Sequence, residues 1–251
     1  MARLILLFFG GIQIKLDEQS IIGSMSKKEQ ALLAYLAIES DYSHDREKLA
    51  GLLWTDQTRH SSFLLITRQT VQFNPGSDYS CDVVAFNAHQ AACHVHNHHH
   101  VEQCQVCMMQ LQPAVELYHG DLLEGISIAN ASAYEDWLLP KREWLRRQNV
   151  NSLEYLTNYY RQRGEYQRAQ NYAHHWFEME PLIEAPCEQL MLLLTFRNRR
   201  TEALLTYEKF TNLLYEELEI EPSKRLIELY HRIKFDDMAI NPPRISQFKR
   251  S

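Results

Sequence analysis

Residues 153–186, LEYLTNYYRQRGEYQRAQNYAHHWFEMEPLIEAP, and 187–210, CEQLMLLLTFRNRRTEALLTYEKF, carry one pattern twice. Leu153, Leu156, Tyr160, Ala169, Ala173 and Trp176 are followed 34 residues later by Cys187, Leu190, Leu194, Ala203, Tyr207 and Phe210. Large residues at helical spacing, then a small one, then an aromatic, describe a pair of packed helices. The small residues Ala169 and Ala203 let the second helix of each pair lie close against the first. Gly164 ends the first helix, Tyr166 starts the second and Pro181 closes the unit.

A period of 34 is that of tetratricopeptide hairpins, which cannot bury their apolar face alone and need stacked neighbours. The flanking sequence predicts them. Residues 103–118, with Val106, Met109, Leu111, Val115 and Leu117, read as one preceding helix in which Pro113 is a kink point. Residues 133–149 read as another, carrying Trp137, Leu138, Trp144 and Leu145, with Pro140 as a second kink point. Pro222 restarts a last helix through Leu226, Leu229, Tyr230 and Ile233 that caps the stack. Residues 80–235 are therefore expected to form an all-α domain that holds a partner on a concave face, followed by a tail over 236–251.

The totals narrow the classes. A chain of 251 residues with 45% apolar and 23% charged residues is globular and long enough for two domains. A formal net charge of −6 argues against a broad electrostatic grip on nucleic acid. The opening MARLILLFFGG is too short to span a membrane and reads as a strand rather than a leader. With five Cys, this points to the reducing cytoplasm and to no membrane partner.

Within residues 1–76, Leu4 to Phe9 and Ile12 to Leu16 are β-rich runs joined by Gly10-Gly11, which predicts a hairpin. Ser26, with Glu29 three residues on, predicts a capping box for a helix over 27–38 with Leu32, Leu33, Tyr35 and Leu36 as its buried face. A second helix starts after Ser43 or His44 and runs through Leu49, Leu52, Leu53 and Trp54. Phe63 to Thr67 and Thr70 to Asn74 predict another hairpin, turning at Arg68-Gln69. Strands, two helices and a terminal hairpin make the frame of a winged helix.

The runs KKEQALLAYLAIES (27–40), HDREKLAGLLW (44–54), LLITRQTVQFNP (64–75), AVELYHGDLLEG (114–125) and YEDWLLPKREWLRR (134–147) resemble bacterial transcriptional activators of the antibiotic-regulatory, SARP-like type. The resemblance covers residues 3–235. It implies an OmpR-like winged helix that binds DNA, joined to a bacterial transcriptional activator domain of tetratricopeptide-like helices. In that family the helical domain mediates dimerisation and contacts within the transcription machinery, which implies RNA polymerase or another protein partner and a homodimer. The fold class expected is mainly α: a truncated α+β winged-helix region, then an all-α helical repeat domain.

The truncation is a length argument. A winged helix reads the major groove with a third helix between the second helix and the wing. Only residues 55–62, TDQTRHSS, separate Trp54 from Phe63, whereas a reader of three turns with its connections needs on the order of fifteen residues. The recognition helix is thus expected to be deleted, leaving Leu49, Leu52 and Leu53 partly uncovered. Residues 1–75 carry eight Lys and Arg against eight Asp and Glu, so nothing compensates for the lost contacts. The remaining DNA-contact candidates are Lys27, Lys28, Arg46, Lys48 and Arg68, with solvated surface as the competing account of all five. DNA binding is expected to be weak or lost. The alternative is a protein–protein interaction module without DNA binding.

Residues 93–107, CHVHNHHHVEQCQVC, contain a CxxC. Cys93, His96, Cys104 and Cys107 are candidate ligands for one structural zinc, with His98 as the alternative to His96 and a His-rich loop with half-buried thiols as the competing account. No cofactor is otherwise required. There is no GxxxxGK, GxGxxG, GxSxG or HExxH, and Asp121, Glu124, Glu135 and Asp136 read as turn and cap residues, so no enzyme is expected.

Overall fold

The computed structural model describes residues 3–53, 62–95 and 100–235. Trp54, the 55–61 stretch on which the deleted-helix expectation rests, His96, His98 and the tail lie outside them. The chain divides into two compact units, 1–96 with 113–149, and 97–112 with 150–251. The sequence boundary near residue 76 follows chain order. The compact units instead gather most of residues 80–149 with the first seventy-six.

In the first unit, β1 (Leu4–Leu7) and β2 (Gln13–Leu16) pair antiparallel with Leu4 opposite Leu16, as the hairpin reading predicts. The sheet continues through β3 (Gln19–Ser20) on one side and β7 (Tyr79–Cys81) on the other, in the order β3-β2-β1-β7 with β1 and β7 parallel. Gly10-Gly11 is more than a hairpin turn. Gly10, at φ +76°, comes so close to Gly120 that a Cβ on Gly120 would lie 3.0 Å from the Gly10 Cα. This close approach lets Leu123 N–H donate to Phe8 O (2.7 Å), Gly10 N–H to Asp121 O (2.9 Å) and Glu124 N–H to Gly10 O (3.0 Å).

Helix α1 (Lys27–Ile38) starts at Ser26 with both halves of its capping box formed. Its buried face differs from the expected one. Ala31, Ala34, Leu36 and Ala37 are buried, while Leu32, Leu33 and Tyr35 are partly exposed. Small residues on the inner face allow neighbouring elements to come close, so the larger ones are carried at its margins. A short strand absent from the sequence reading, β4 (His44–Asp45), precedes α2 (Arg46–Leu53). It completes a second sheet, β4-β6-β5, with β5 (Leu64–Ile66) and β6 (Thr70–Phe73). Leu49 is buried rather than partly uncovered.

Helix α3 (Asp82–His94) follows β7 directly, and α4 (Gln105–Leu117) contains Pro113. The expected break at residue 149 is not there. Helix α5 runs without interruption from Ser132 to Gln162, because nothing between Asn149 and Leu153 stops a helix. The division between units falls at Pro113 in α4 and after Asn149 in α5.

The second unit contains the repeat. The C-terminal part of α5 with α6 (Tyr166–Met179) forms one hairpin, and α7 (Glu184–Phe196) with α8 (Arg200–Leu218) forms the next. Of the twelve repeat positions all but Tyr207 are buried. The period also appears in the backbone. Gly164 (φ +75°) and Asn198 (φ +59°) are left-handed helix ends 34 residues apart. Glu165 N–H donates to Tyr160 O (3.0 Å) just as Arg199 N–H donates to Leu194 O (2.8 Å). The last helix, α9 (Lys224–Lys234), is capped by Ser223 and buries Leu226, Leu229 and Ile233.

Candidate nucleic-acid interface

Thr67 shapes the tip of the β5–β6 hairpin. Its hydroxyl accepts from Gln69 N–H (3.2 Å) and Thr70 N–H (2.9 Å), leaving Arg68 exposed at the apex. β4 pairs with β6, His44 opposite Val71 and Asp45 opposite Thr70, and this brings the start of α2 against that tip. Arg46 N–H donates to Gln69 O (2.9 Å), and its guanidinium lies 3.4 Å from Thr67 O. Three of the five candidates, Arg46, Lys48 and Arg68, are therefore gathered in one exposed place. Lys27 and Lys28 are exposed on the first turn of α1, whose opposite end faces β4, so the length of α1, about 18 Å, separates them from the other three.

The gathered charge is nearly balanced. Asp45 and Glu47 alternate with Arg46 and Lys48 along the chain. Asp45 Oδ1 accepts from Glu47 N–H (2.8 Å) and Lys48 N–H (3.3 Å), the donors that a phosphate at this helix N-terminus would use. The arrangement can hold a phosphate backbone only where an incoming anion displaces or bypasses Asp45.

Behind this surface lies a cluster that the sequence did not reveal. Trp137 Nε1–H donates to Glu39 Oε1 (3.0 Å), and Lys141 Nζ is 2.7 Å from the same oxygen. His44 Nε2 is 3.2 Å from Glu39 O, and its ring meets that of Tyr35, which packs edge-on against Trp137. Burial raises the Glu39 pKa, but the hydrogen bonds from Lys141 and Trp137 and the charges of Lys141 and His44 outweigh it and hold the carboxyl below its ordinary value. Glu39 and Trp137 are 98 residues apart, and no local pattern links them.

A second anchor is Asp82, which accepts from Phe8 N–H (2.7 Å), Phe9 N–H (2.9 Å) and Val83 N–H (2.7 Å). Burial nevertheless dominates these three bonds and leaves its pKa raised. The four acidic residues considered for catalysis occupy structural places. Asp121 accepts from Tyr118 Oη–H (2.9 Å), Glu124 flanks the Gly120 approach, Glu135 lies in the first turn of α5 and Asp136 follows it. Arg142 of α5 clamps the same turn through Leu122 O (2.6 Å) and Leu123 O (2.7 Å).

The cysteines are placed on helix ends. Cys93 is buried near the end of α3 in the first unit, and its thiol donates to His89 O at 3.6 Å. Cys104 and Cys107 belong to the second unit at the start of α4, half-buried and buried respectively. The described residues include no group of three or more His, Cys, Asp or Glu that could hold a metal. On the repeats, Phe177, Leu190, Leu194 and Leu205 line an open pocket of about 290 Å³ between α6 and α8. No described helix is long and apolar enough to cross a membrane.

The model of the bacterial transcriptional activator domain matches residues 81–234. No curated protein matches the chain. Among solved structures, Mycobacterium tuberculosis EmbR in complex with a low-affinity phosphopeptide is similar in fold, with a TM-score of 0.60 at 18% identity, over 94% of this chain and 66% of that one. The present chain thus spans just under two thirds of EmbR, mostly helical like it with a small β region first. With the family model covering well over half of its residues, the chain belongs to the bacterial transcriptional activator domain family.

Proposed function

We propose that the chain regulates transcription in the manner of the antibiotic-regulatory activators, by weak contact with DNA through its first unit and by protein contact through its helical repeats. The observation that carries the DNA half is the seating of Arg46 on the hairpin tip, which presents Arg46, Lys48 and Arg68 together. Asp45 and Glu47 beside them account for the weakness. Lys27 and Lys28 would touch a separate stretch of phosphate. The family match supports the protein half, with RNA polymerase or a second copy as the partner and the open pocket on the repeats, where Leu190 and Leu194 meet polar side chains such as Gln170 and Glu202, as a place to receive it.

Fluorescence anisotropy with a promoter-length duplex tests this reading. At about 50 mM salt the chain is expected to bind well above an unrelated acidic protein, and the variant Arg46→Gln, Lys48→Gln, Arg68→Gln to lose at least about tenfold, since each phosphate contact steepens the salt dependence by about 0.9. A wild-type chain indistinguishable from the acidic control overturns it. The competing reading, an interaction module without DNA binding, draws on the equal numbers of cations and anions in residues 1–75.

For the cysteine and histidine run, we propose a structural zinc on Cys93, His96, Cys104 and Cys107. The CxxC at the start of α4 suits two thiolates on one metal. Metal analysis of chain purified without chelator should give about one zinc per chain, and a value near zero removes the site.

A further inference from the structure

The second unit is electrically divided. Its helices alternate in direction, so α5, α7 and α9 end along the same edge at which α6 and α8 begin. The first turn on that edge carries Arg161, Arg163 and Arg168, and the next carries Arg197, Arg199 and Arg200. Arg232 and Lys234 at the end of α9 continue the row, and a bond from the Arg200 guanidinium to Lys234 O places them beside it. Against these eight cations stand Glu165 and Glu202, ion-paired with Arg168 and Arg199, and Glu188 of α7, whose charge reaches Arg161, which leaves a formal +5 among the described residues. Asp236 and Asp237 follow in the sequence outside the described residues, and counting them still leaves the edge positive.

The opposite edge is the reverse. Glu178, Glu180 and Glu184 lie around the α6–α7 turn, and Glu216, Glu217, Glu219 and Glu221 around the end of α8. Lys224 and Arg225 oppose them, for a formal −5. Helix α6, at fourteen residues, sets the edges about 21 Å apart. The Debye length at physiological salt is about 8 Å. The acidic edge is therefore screened from anything approaching the basic one, and a chain of net charge −6 presents a locally cationic surface.

Seven of the eight cations are arginines, the side chain suited to paired hydrogen bonds with phosphate. Several are held in place. Arg163 lies over the Tyr159 ring (4.3 Å), Arg168 lies over the Tyr160 ring (5.2 Å), and Arg197 is bonded to Gln170. The guanidinium of Arg161 is half-buried, and its Nε has no hydrogen-bond partner in the protein. A stable protein interface would need an apolar centre. Among the exposed large apolar residues of the second unit, Phe235 lies on this edge, whereas Ile183, Leu218 and Ile220 crowd the acidic edge. Charge without an apolar centre is the composition of a phosphate-backbone contact.

We infer that this arginine edge of the helical repeats binds the phosphodiester backbone of duplex DNA, as a second contact beside the one at the hairpin tip. The inference rests on the proposed role of the chain at DNA and adds the repeats to that role. It is tested on the full chain with a fluorescein-labelled duplex, titrated across a salt series. The variant Arg163→Gln, Arg168→Gln, Arg232→Gln is compared with wild type and with Lys15→Gln, Lys209→Gln, Lys224→Gln, which loses the same charge away from the edge. Circular dichroism melts establish that both variants fold.

The edge variant should bind about tenfold or more weakly near 100 mM salt, with a slope of log affinity against log salt smaller by about 2 to 3, while the control stays within about twofold of wild type. Wild-type binding that the edge variant retains, slope included, overturns the inference and leaves the proposed function standing. Absence of wild-type binding at low salt overturns both. Sedimentation covers the remaining occupant: salt-dependent self-association lost in the edge variant, with DNA binding unchanged, assigns the edge to the acidic edge of a second copy and also overturns the inference.

Discussion

The turns at Gly164 and Asn198 are built from equivalent backbone hydrogen bonds one repeat apart, each reaching back three to five residues. The first unit is closed quite differently, by Asp82 reaching Phe8 across 74 positions and Trp137 reaching Glu39 across 98. In the repeats, structure follows from spacing, and a change at one position should be felt mainly by its own hairpin. In the first unit each anchor holds several elements at once, so a single loss should spread. Helix α5 contributes to both, supplying Trp137 and Arg142 to one unit and Leu153, Leu156 and Tyr160 to the other.

The largest test of that contrast is Phe86→Ala. Phe86 is fully buried and meets Phe9 edge-on with ring centroids 5.3 Å apart. Its truncation should cost about 3–5 kcal/mol. Hydrogen exchange should show protection lost throughout β1, β7 and α3 while α6 to α8 stay protected. Uniform loss across both units would erase the distinction.

Next is Asp82→Ala, which leaves three buried N–H groups without their acceptor and should cost about 2–4 kcal/mol in urea unfolding. The milder Asp82→Asn and Glu39→Gln separate the two anchors by pH. The raised Asp82 pKa means that its contribution grows as pH falls through that pKa toward 3.8, and is lost as pH rises through it. The Glu39 pKa is lowered, so its contribution is full above about 4.5 and is lost as pH falls through the lowered value. Unfolding midpoints between about pH 3 and 7 should therefore change slope in opposite senses in the two variants. For the half-buried Glu39 the effect at neutral pH should be only about 0.5–1 kcal/mol, because solvent screens its ion pair.

The smallest effects belong to the repeat turns. Gly164→Ala forces a side chain into the left-handed region and should cost about 1 kcal/mol, whereas Asn198→Gly should be neutral or stabilise by a few tenths. Opposite signs at equivalent positions would sharpen the repeat reading. Equal costs would show that the turns are held by something other than backbone conformation.

The same contrast governs what could be read in advance. Ser26 and Glu29 are three residues apart, and their capping box is legible as text. So are Ala169 and Ala203, and the hairpin that turns at Arg68. The alanine face of α1 was hidden because small buried residues carry little hydrophobic signal and the neighbours that make them useful lie far along the chain. β4 leaves no mark in the sequence because a two-residue strand has no periodicity. Glu39, Trp137 and Lys141 could not be joined without the fold, and neither could the arginine edge, whose members are scattered over seventy residues and aligned only by the alternation of helices.

The central claim, that this chain acts at DNA, is tested most directly by retaining fragments of genomic DNA on the full chain and sequencing them. The account predicts that the wild-type chain retains far more DNA at low salt than an unrelated acidic protein does, with little sequence preference because its contacts are to phosphate, and that Arg46→Gln, Lys48→Gln, Arg68→Gln lowers the amount retained about tenfold. Retention by the wild-type chain no greater than that of the acidic protein would contradict it.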